Sequence, residues 1–288
     1  MKRNASRTNK SLSDLKIWIL CGIAFVVLGS FAYTTITKAG LDKRVSQLAG
    51  TASEQELAIV RNCDAADGEM LHYPGFDVYF SNNHRQPYYV SWILTPEHVR
   101  EVNVKRSDKF RPDPDVANSA QLADYRHSGY DRGHMAPSAD FRYSKEAQEA
   151  TFFLTNMCPQ HNLLNTQAWA RLEEQCRNWA LRDSTLIIIA GPVLSDYLEN
   201  TIGENKVTVP DRFFKVVFAP YADPPRAIGF VMPNHKVEGG VQPTEMPVDN
   251  VEAITGYDFF SALPDEIEEI IESRASYHEW QKKQKKQK

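Results

Sequence analysis

Three hydrophobic patterns organise this chain: a nearly unbroken apolar run, several short aromatic and β-branched runs, and stretches with helical spacing. Phe76 to Phe80 and Tyr88 to Leu94, with Asn82-Asn83 and Pro87 in the gap, predict two strands. Leu186-Ile187-Ile188-Ile189-Ala190, closed by Gly191-Pro192, predicts a buried strand. Phe213 to Phe218 and Ala227 to Met232, separated by Pro220, Pro224 and Pro225, predict a hairpin with a long loop. Ala168 to Arg182 places Trp169, Leu172, Cys176 and Trp179 on one side of a helix. Another helix is expected to open at Pro264-Asp265, with acids first, and to end in Lys282, Lys283, Lys285, Lys286 and Lys288. Strands and helices do not alternate strictly, so the pattern predicts an α+β fold with a largely antiparallel sheet.

The apolar run extends from Ile17 to about Ile36 and follows Lys2, Arg3, Arg7, Lys10 and Lys16, with Asp14 as the single acid. It approaches the length a helix needs to cross a bilayer and exceeds the apolar core of a cleaved signal. The expectation is a single-pass transmembrane anchor over residues 17–37, with a basic cytoplasmic segment 1–16 and everything beyond on the far side. That places the globular part on the periplasmic face of a bacterial membrane. The alternatives are secretion after cleavage near Ser30-Phe31-Ala32, a buried core helix, and a mitochondrial presequence, which would place the protein at the inner membrane.

Charge changes the picture. The chain holds 33 basic and 37 acidic residues; residues 1–16 take five and one of these, leaving 28 against 36, a formal −8. Such a balance excludes nucleic-acid binding by bulk charge, so phosphate binding would need a local cluster. Outside the apolar run lie Cys63, Cys158 and Cys176, an odd number. One disulfide and one free thiol is the simplest expectation in an oxidising compartment, with Cys158–Cys176 the candidate pair, although spacing does not fix connectivity.

The chemistry concentrates between Tyr125 and Arg177. Asp131-Arg132-Gly133-His134 sets an acid, a cation and an imidazole around a glycine that permits close backbone approach. Phosphodiester hydrolysis needs a base for water, a cation near the phosphate oxygens and stabilisation of added negative charge. His134 is suited to be the base, because a neutral imidazole titrates near physiological pH. An oxygen of Asn165 is a candidate ligand for a hard divalent ion such as Mg2+, which keeps much of its water shell. Asn165, Trp169, Glu173 and Arg177 follow at four-residue steps and would form one helical stripe. On it, Glu173 would hold metal-bound water and Arg177 would face phosphate. Each residue alone also has an ordinary structural reading: a helix cap for Asn165, a surface ion pair for Glu173 and Arg177. Cys158 with His161 lacks the second ligand pair of a zinc site. His127 and Ser128 lack the nucleophile elbow of a hydrolase triad.

The motif set resembles the DNA/RNA non-specific endonuclease family, the endonuclease G-like nucleases. The resemblance rests on Asp131-Arg132-Gly133-His134, Asn156-Met157-Cys158-Pro159-Gln160, Leu164-Asn165, Trp169 and Leu172-Glu173, with weaker similarity from about Tyr73 to Leu263. It implies a ββα-metal fold with a central antiparallel sheet and cleavage of both DNA and RNA. It implies His134 as general base and Mg2+, or another divalent cation such as Mn2+, held by Asn165 and waters. By the same resemblance Glu173 acts through metal-bound water, and Arg132 and Arg177 contact phosphate. Asn156 supports the site, and an upstream arginine binds phosphate (Arg111 preferred over Arg106); a homodimer is left open, since the sequence does not reveal the oligomeric state. Asp131 is expected to fix the turn by salt bridging. Cys158 departs from the family pattern. The implied organisation is a spacer over 38–70, the nuclease domain over 71–270 and a basic tail over 271–288. The competing class is a non-catalytic nucleic-acid-binding protein on a nuclease fold, which predicts a damaged histidine or asparagine. A third reading, a phosphodiesterase narrowed to one substrate, separates from the first by its rates on different nucleic acids.

Overall fold

A computed structural model describes residues 52–194 and 200–282. The apolar run at 17–37 and the terminal lysines from Lys283 lie outside the described residues. All described residues belong to one compact unit.

Eleven strands are present among them: β1 (Gly68–Tyr73), β2 (Phe76–Ser81), β3 (Gln86–Leu94), β4 (Asp131–His134), β5 (Met157–Gln160), β6 (Leu186–Val193), β7 (Thr201–Ile202), β8 (Val207–Thr208), β9 (Arg212–Ala219), β10 (Arg226–Pro233) and β11 (Glu245–Met246). Seven of them form a sheet in the order β1-β2-β3-β6-β9-β10-β11. Every neighbouring pair in it is antiparallel. The five strands expected from the apolar runs all lie in this sheet, and β9–β10 form the expected hairpin. The central strand β6 is continuously apolar because both of its faces are covered.

Alternation along β9 and β10 assigns the two faces. Phe213, Lys215 and Val217, with Ile228, Phe230 and Met232, point toward α1 (Ala170–Asp183), which buries Leu172, Cys176 and Trp179. Phe214 and Phe218 point the other way, against Phe259 and Phe260, with ring centres 5.7 and 5.1 Å apart. That second face is completed by α2 (Val248–Thr255) and α3 (Asp265–Glu272). The expected C-terminal helix is in fact two pieces. It stops at Glu272 and restarts as α4 (Tyr277–Gln281), because the Ser276 hydroxyl accepts from the Glu279 amide and caps a new helix.

β4 and β5 form a separate two-stranded ribbon, paired Asp131↔Gln160 through His134↔Met157. A π-helical turn, Leu164–Trp169, then leads into α1. Strand, strand and helix thus bring residues from the two richest motifs to one place.

Candidate active site

The ribbon and α1 frame a cleft of about 670 Å³. His134, Arg132 and Asp131 enter it from β4, and Asn165 and Glu173 from the helical segment. The positive side consists of Arg106, Arg126 and Arg132. On a domain with an acidic balance, these three arginines are the local cluster that the charge argument requires.

Gly133 faces Cys158 across the ribbon, and a Cβ there would lie 2.3 Å from Gln160 Oε1 and 2.5 Å from its Cβ. Glycine is therefore dictated by packing against the buried Gln160. His134 is 9% exposed and its ring is set edge-on to Phe110 and Phe152, at 5.5 and 5.1 Å. The Trp169 indole donates to its carbonyl at 3.2 Å. Burial, reinforced by the positive charges of Arg106 and Arg132, holds the imidazole down at about 3. Its Nε2 is buried with no hydrogen-bond partner. The result is a neutral imidazole with an uncommitted nitrogen.

Asp131 makes no salt bridge among the described residues. Its Oδ2 accepts from the amide nitrogens of Asn165, at 2.9 Å, and Asn162, at 3.0 Å. With its nitrogen committed to Asp131, Asn165 has its carbonyl oxygen left for a hard cation, so the donor chemistry fits Mg2+ or Mn2+. Burial pushes Glu173 up to about 7, against the pull of Lys215 and Arg177.

The expected four-step stripe is divided by its surroundings. Asn165 and Glu173 line the cleft, while Trp169 is buried beneath it. Arg177 does not line the cleft: its Nη1 donates to Asp140 Oδ1 at 3.0 Å, and the same carboxylate accepts from the Trp92 indole at 3.1 Å. Asn156 is fully buried, and its amide spans the backbone of Ala136 in both directions and the carbonyl of Thr151. It shapes the chain after His134 from behind.

Of the two upstream arginines, Arg106 lines the cleft and Arg111 does not. Arg111 bridges Phe153 through its backbone and lays its guanidinium 4.1 Å from that ring. On this extended segment adjacent side chains diverge, so Phe110 faces the cleft and Arg111 faces away. Arg106 donates to Ser138 Oγ at 2.5 Å, its Nε is held by Asp108, and its guanidinium lies 5.0 Å from the Phe152 ring centre.

Sequence reasoning missed Arg126, Phe110 and Tyr130 in the cleft wall and Lys215 beneath it. Lys215 is fully buried, its ammonium 4.4 Å from the Trp169 ring and 5.2 Å from that of Trp92. A lone lysine inside the aromatic strand Arg212–Ala219 was the available signal. The expected Cys158–Cys176 disulfide is corrected: both thiols are free, as is Cys63. Cys158 and Cys176 are buried in the same apolar core, where burial pushes both thiols up and they behave as small hydrophobes.

The family model described as DNA/RNA non-specific endonuclease matches residues 54–266. The chain is 33% identical over 208 residues to the mitochondrial nuclease of Saccharomyces cerevisiae, covering 64% of this chain and 63% of that protein. It is 33% identical over 222 residues to mitochondrial nuclease 1 of Schizosaccharomyces pombe, covering 69% and 67%. The chain thus spans about two thirds of these relatives' length. A crystal structure of the EndoG/EndoGI complex superposes with a TM-score of 0.66 at 28% identity, covering 74% of this chain and 94% of that one. The relatives are nucleases by name, in keeping with the expected phosphodiester hydrolase.

Their mitochondrial names overturn the expected bacterial periplasmic-face location and fit the mitochondrial alternative. The physical reason is that a basic, acid-poor start is shared by bacterial anchors and mitochondrial leaders. Among the described residues no helix is long and apolar enough to cross a membrane.

Proposed function

The chain belongs to the DNA/RNA non-specific endonuclease family, and from that premise we propose that it hydrolyses phosphodiester bonds of DNA and RNA in a ββα-metal site. The observation that carries the reading is His134. It is a buried, neutral imidazole facing a cleft that also holds Asn165, Glu173 and three arginines.

Arg106 and Arg132 hold the phosphate, and Arg126 extends the positive wall toward the neighbouring backbone. Contacts to the backbone carry no sequence information, which accounts for low specificity. His134 takes the proton of the attacking water. In the free protein its basicity is suppressed first by burial and further by the charges of Arg106 and Arg132. A bound phosphate offsets those charges, so the imidazole becomes a stronger base when substrate is present. Asn165 would hold the divalent cation through its carbonyl oxygen, with Asp131 fixing the amide orientation. Bound there, Mg2+ or Mn2+ supplies positive charge to the phosphate and the leaving oxygen. Glu173, further along the same helical segment, lines the same cleft and balances the added charge. Arg177 and Asn156 hold the framework.

The test is cleavage of plasmid DNA and of RNA by the purified chain with Mg2+. His134→Ala should lower the rate about 10²- to 10⁴-fold, and EDTA should abolish cleavage. An unchanged rate for His134→Ala would refute the mechanism.

A further inference from the structure

The face of the sheet opposite the cleft carries a second concentration of carboxylates. Asp249 and Glu252 lie on α2, and Glu268 and Glu272 on α3. One oxygen from each of Asp249, Glu252 and Glu272 falls within 4.8 Å of the others. Asp249 is exposed, Glu252 half-buried and Glu272 only 3% exposed. None of the ion pairs among the described residues reaches this group.

The independent observation is the state of the buried oxygens. Glu272 Oε1 is buried with no hydrogen-bond partner, and so is Glu268 Oε1 one turn earlier. A buried carboxylate without a donor is costly and needs compensation. Glu252 spends Oε1 on the Phe259 amide at 2.8 Å, which leaves its other oxygen for the cluster. Glu252, Glu268 and Asp249 surround Glu272 with like-charged groups. Nearby groups facing Glu268 add Asp258 and Asp265 on the acidic side and Arg61 on the basic side.

We propose that Asp249, Glu252 and Glu272 form a divalent-cation site that clamps α3 to α2. The donors are all carboxylate oxygens, and the exposed Asp249 rim leaves room for waters. Ca2+ therefore fits better than Mg2+, which demands near-octahedral geometry at short distances. The position separates the site from catalysis. Val251 of α2 packs where Gly229 of β10 leaves space, since a Cβ there would sit 2.5 Å from Val251 Cγ2. Gly229 points away from the sheet face that carries Phe230 and Lys215, so this cation would stabilise the fold without entering the cleft.

Calorimetric titration of CaCl2 and thermal melting of the chelator-treated full chain test this. Asn165→Ala removes the proposed cleft ligand, so uptake that remains belongs to the second site. This variant should still bind one Ca2+ per chain and gain about 5 °C or more at saturating Ca2+. Glu272→Gln should lose both the uptake and the shift in that background, while melting higher than Asn165→Ala in chelator. Glu252→Gln, which keeps an oxygen for the Phe259 amide, should lose uptake in the same way and serves if Glu272→Gln does not fold. Ca2+ uptake unchanged by both substitutions would overturn the site. So would absence of uptake by Asn165→Ala at Ca2+ on the order of millimolar, which would mean that protons alone neutralise the cluster.

Discussion

The Asp131 carboxylate holds the amide nitrogen of Asn165 at 2.9 Å, across 34 residues of sequence. The contact joins β4 to the π-helical turn and decides which end of the Asn165 amide is left for a cation. Removing such an orienting partner costs about 10- to 100-fold in metal affinity. Asp131→Ala should therefore raise the Mg2+ concentration for half-maximal cleavage by that factor, with the circular dichroism spectrum unchanged. Saturating Mg2+ should restore most of the rate. An unaltered Mg2+ requirement would show that Asn165 is oriented by something else.

His134 makes stability depend on pH in a defined direction. Its folded-state value of about 3 lies below the ordinary 6.5, so the unfolded chain binds the proton more readily. The contribution is fully present above about pH 6.5 and is lost progressively as pH falls toward 3. At pH 5 the loss amounts to about 2 kcal/mol. His134→Asn should thus lose less stability than the parent between pH 7 and pH 5, by that margin in denaturant titrations. Glu173, held up at about 7, works with the opposite sign, its contribution fading as pH rises from about 4.5 through 7. The comparison of parent with variant isolates the histidine. Equal pH dependence of the two proteins would contradict the desolvated imidazole.

Gly133 is held by packing against Gln160, not by backbone conformation. An added Cβ meets Gln160 at 2.3 to 2.5 Å, and Gln160 is fully buried. Gly133→Ala should cost about 1–3 kcal/mol, typical of an overpacked interior. Shortening the opposing side chain should relieve the clash, so Gly133→Ala with Gln160→Ala should be less destabilised than the sum of the single changes. Strict additivity in thermal melts would argue against the contact.

Much of this fold is legible in the residues because burial writes a pattern. The strands β2, β3, β6, β9 and β10 appear as aromatic and β-branched runs, and α1 as Trp169, Leu172, Cys176 and Trp179. The edge strand β1 does not, since its side chains are half-buried or exposed and carry no alternation of large apolar residues. The π-helical turn at Leu164–Trp169 is equally silent, because hydrophobic spacing does not report a change in hydrogen-bond register. The motif residues His134, Asn165 and Glu173 were readable from type and spacing, and the structure brings them together. The choice between Arg106 and Arg111 was not, since both lie in an irregular segment whose side-chain directions only tertiary packing sets.

Arg177 shows how far a motif reading carries. Its guanidinium pairs with Asp140, which is 1% exposed in its side chain and receives one further hydrogen bond, from Trp92. Burial pushes the Asp140 carboxyl up while Arg177 pulls it down, so the cation is what keeps that carboxylate tolerable. Breaking a buried pair by removing one member typically costs about 3–5 kcal/mol. Arg177→Met should lose stability on that scale, and adding Asp140→Asn should recover a large part of it. Arg132, exposed on the cleft wall, should behave in the reverse manner, with Arg132→Met raising KM for plasmid DNA and leaving the melting temperature nearly unchanged. If Arg177→Met keeps full stability and instead raises KM, Arg177 contacts phosphate as its place in the motif suggested, and the Asp140 pair is incidental.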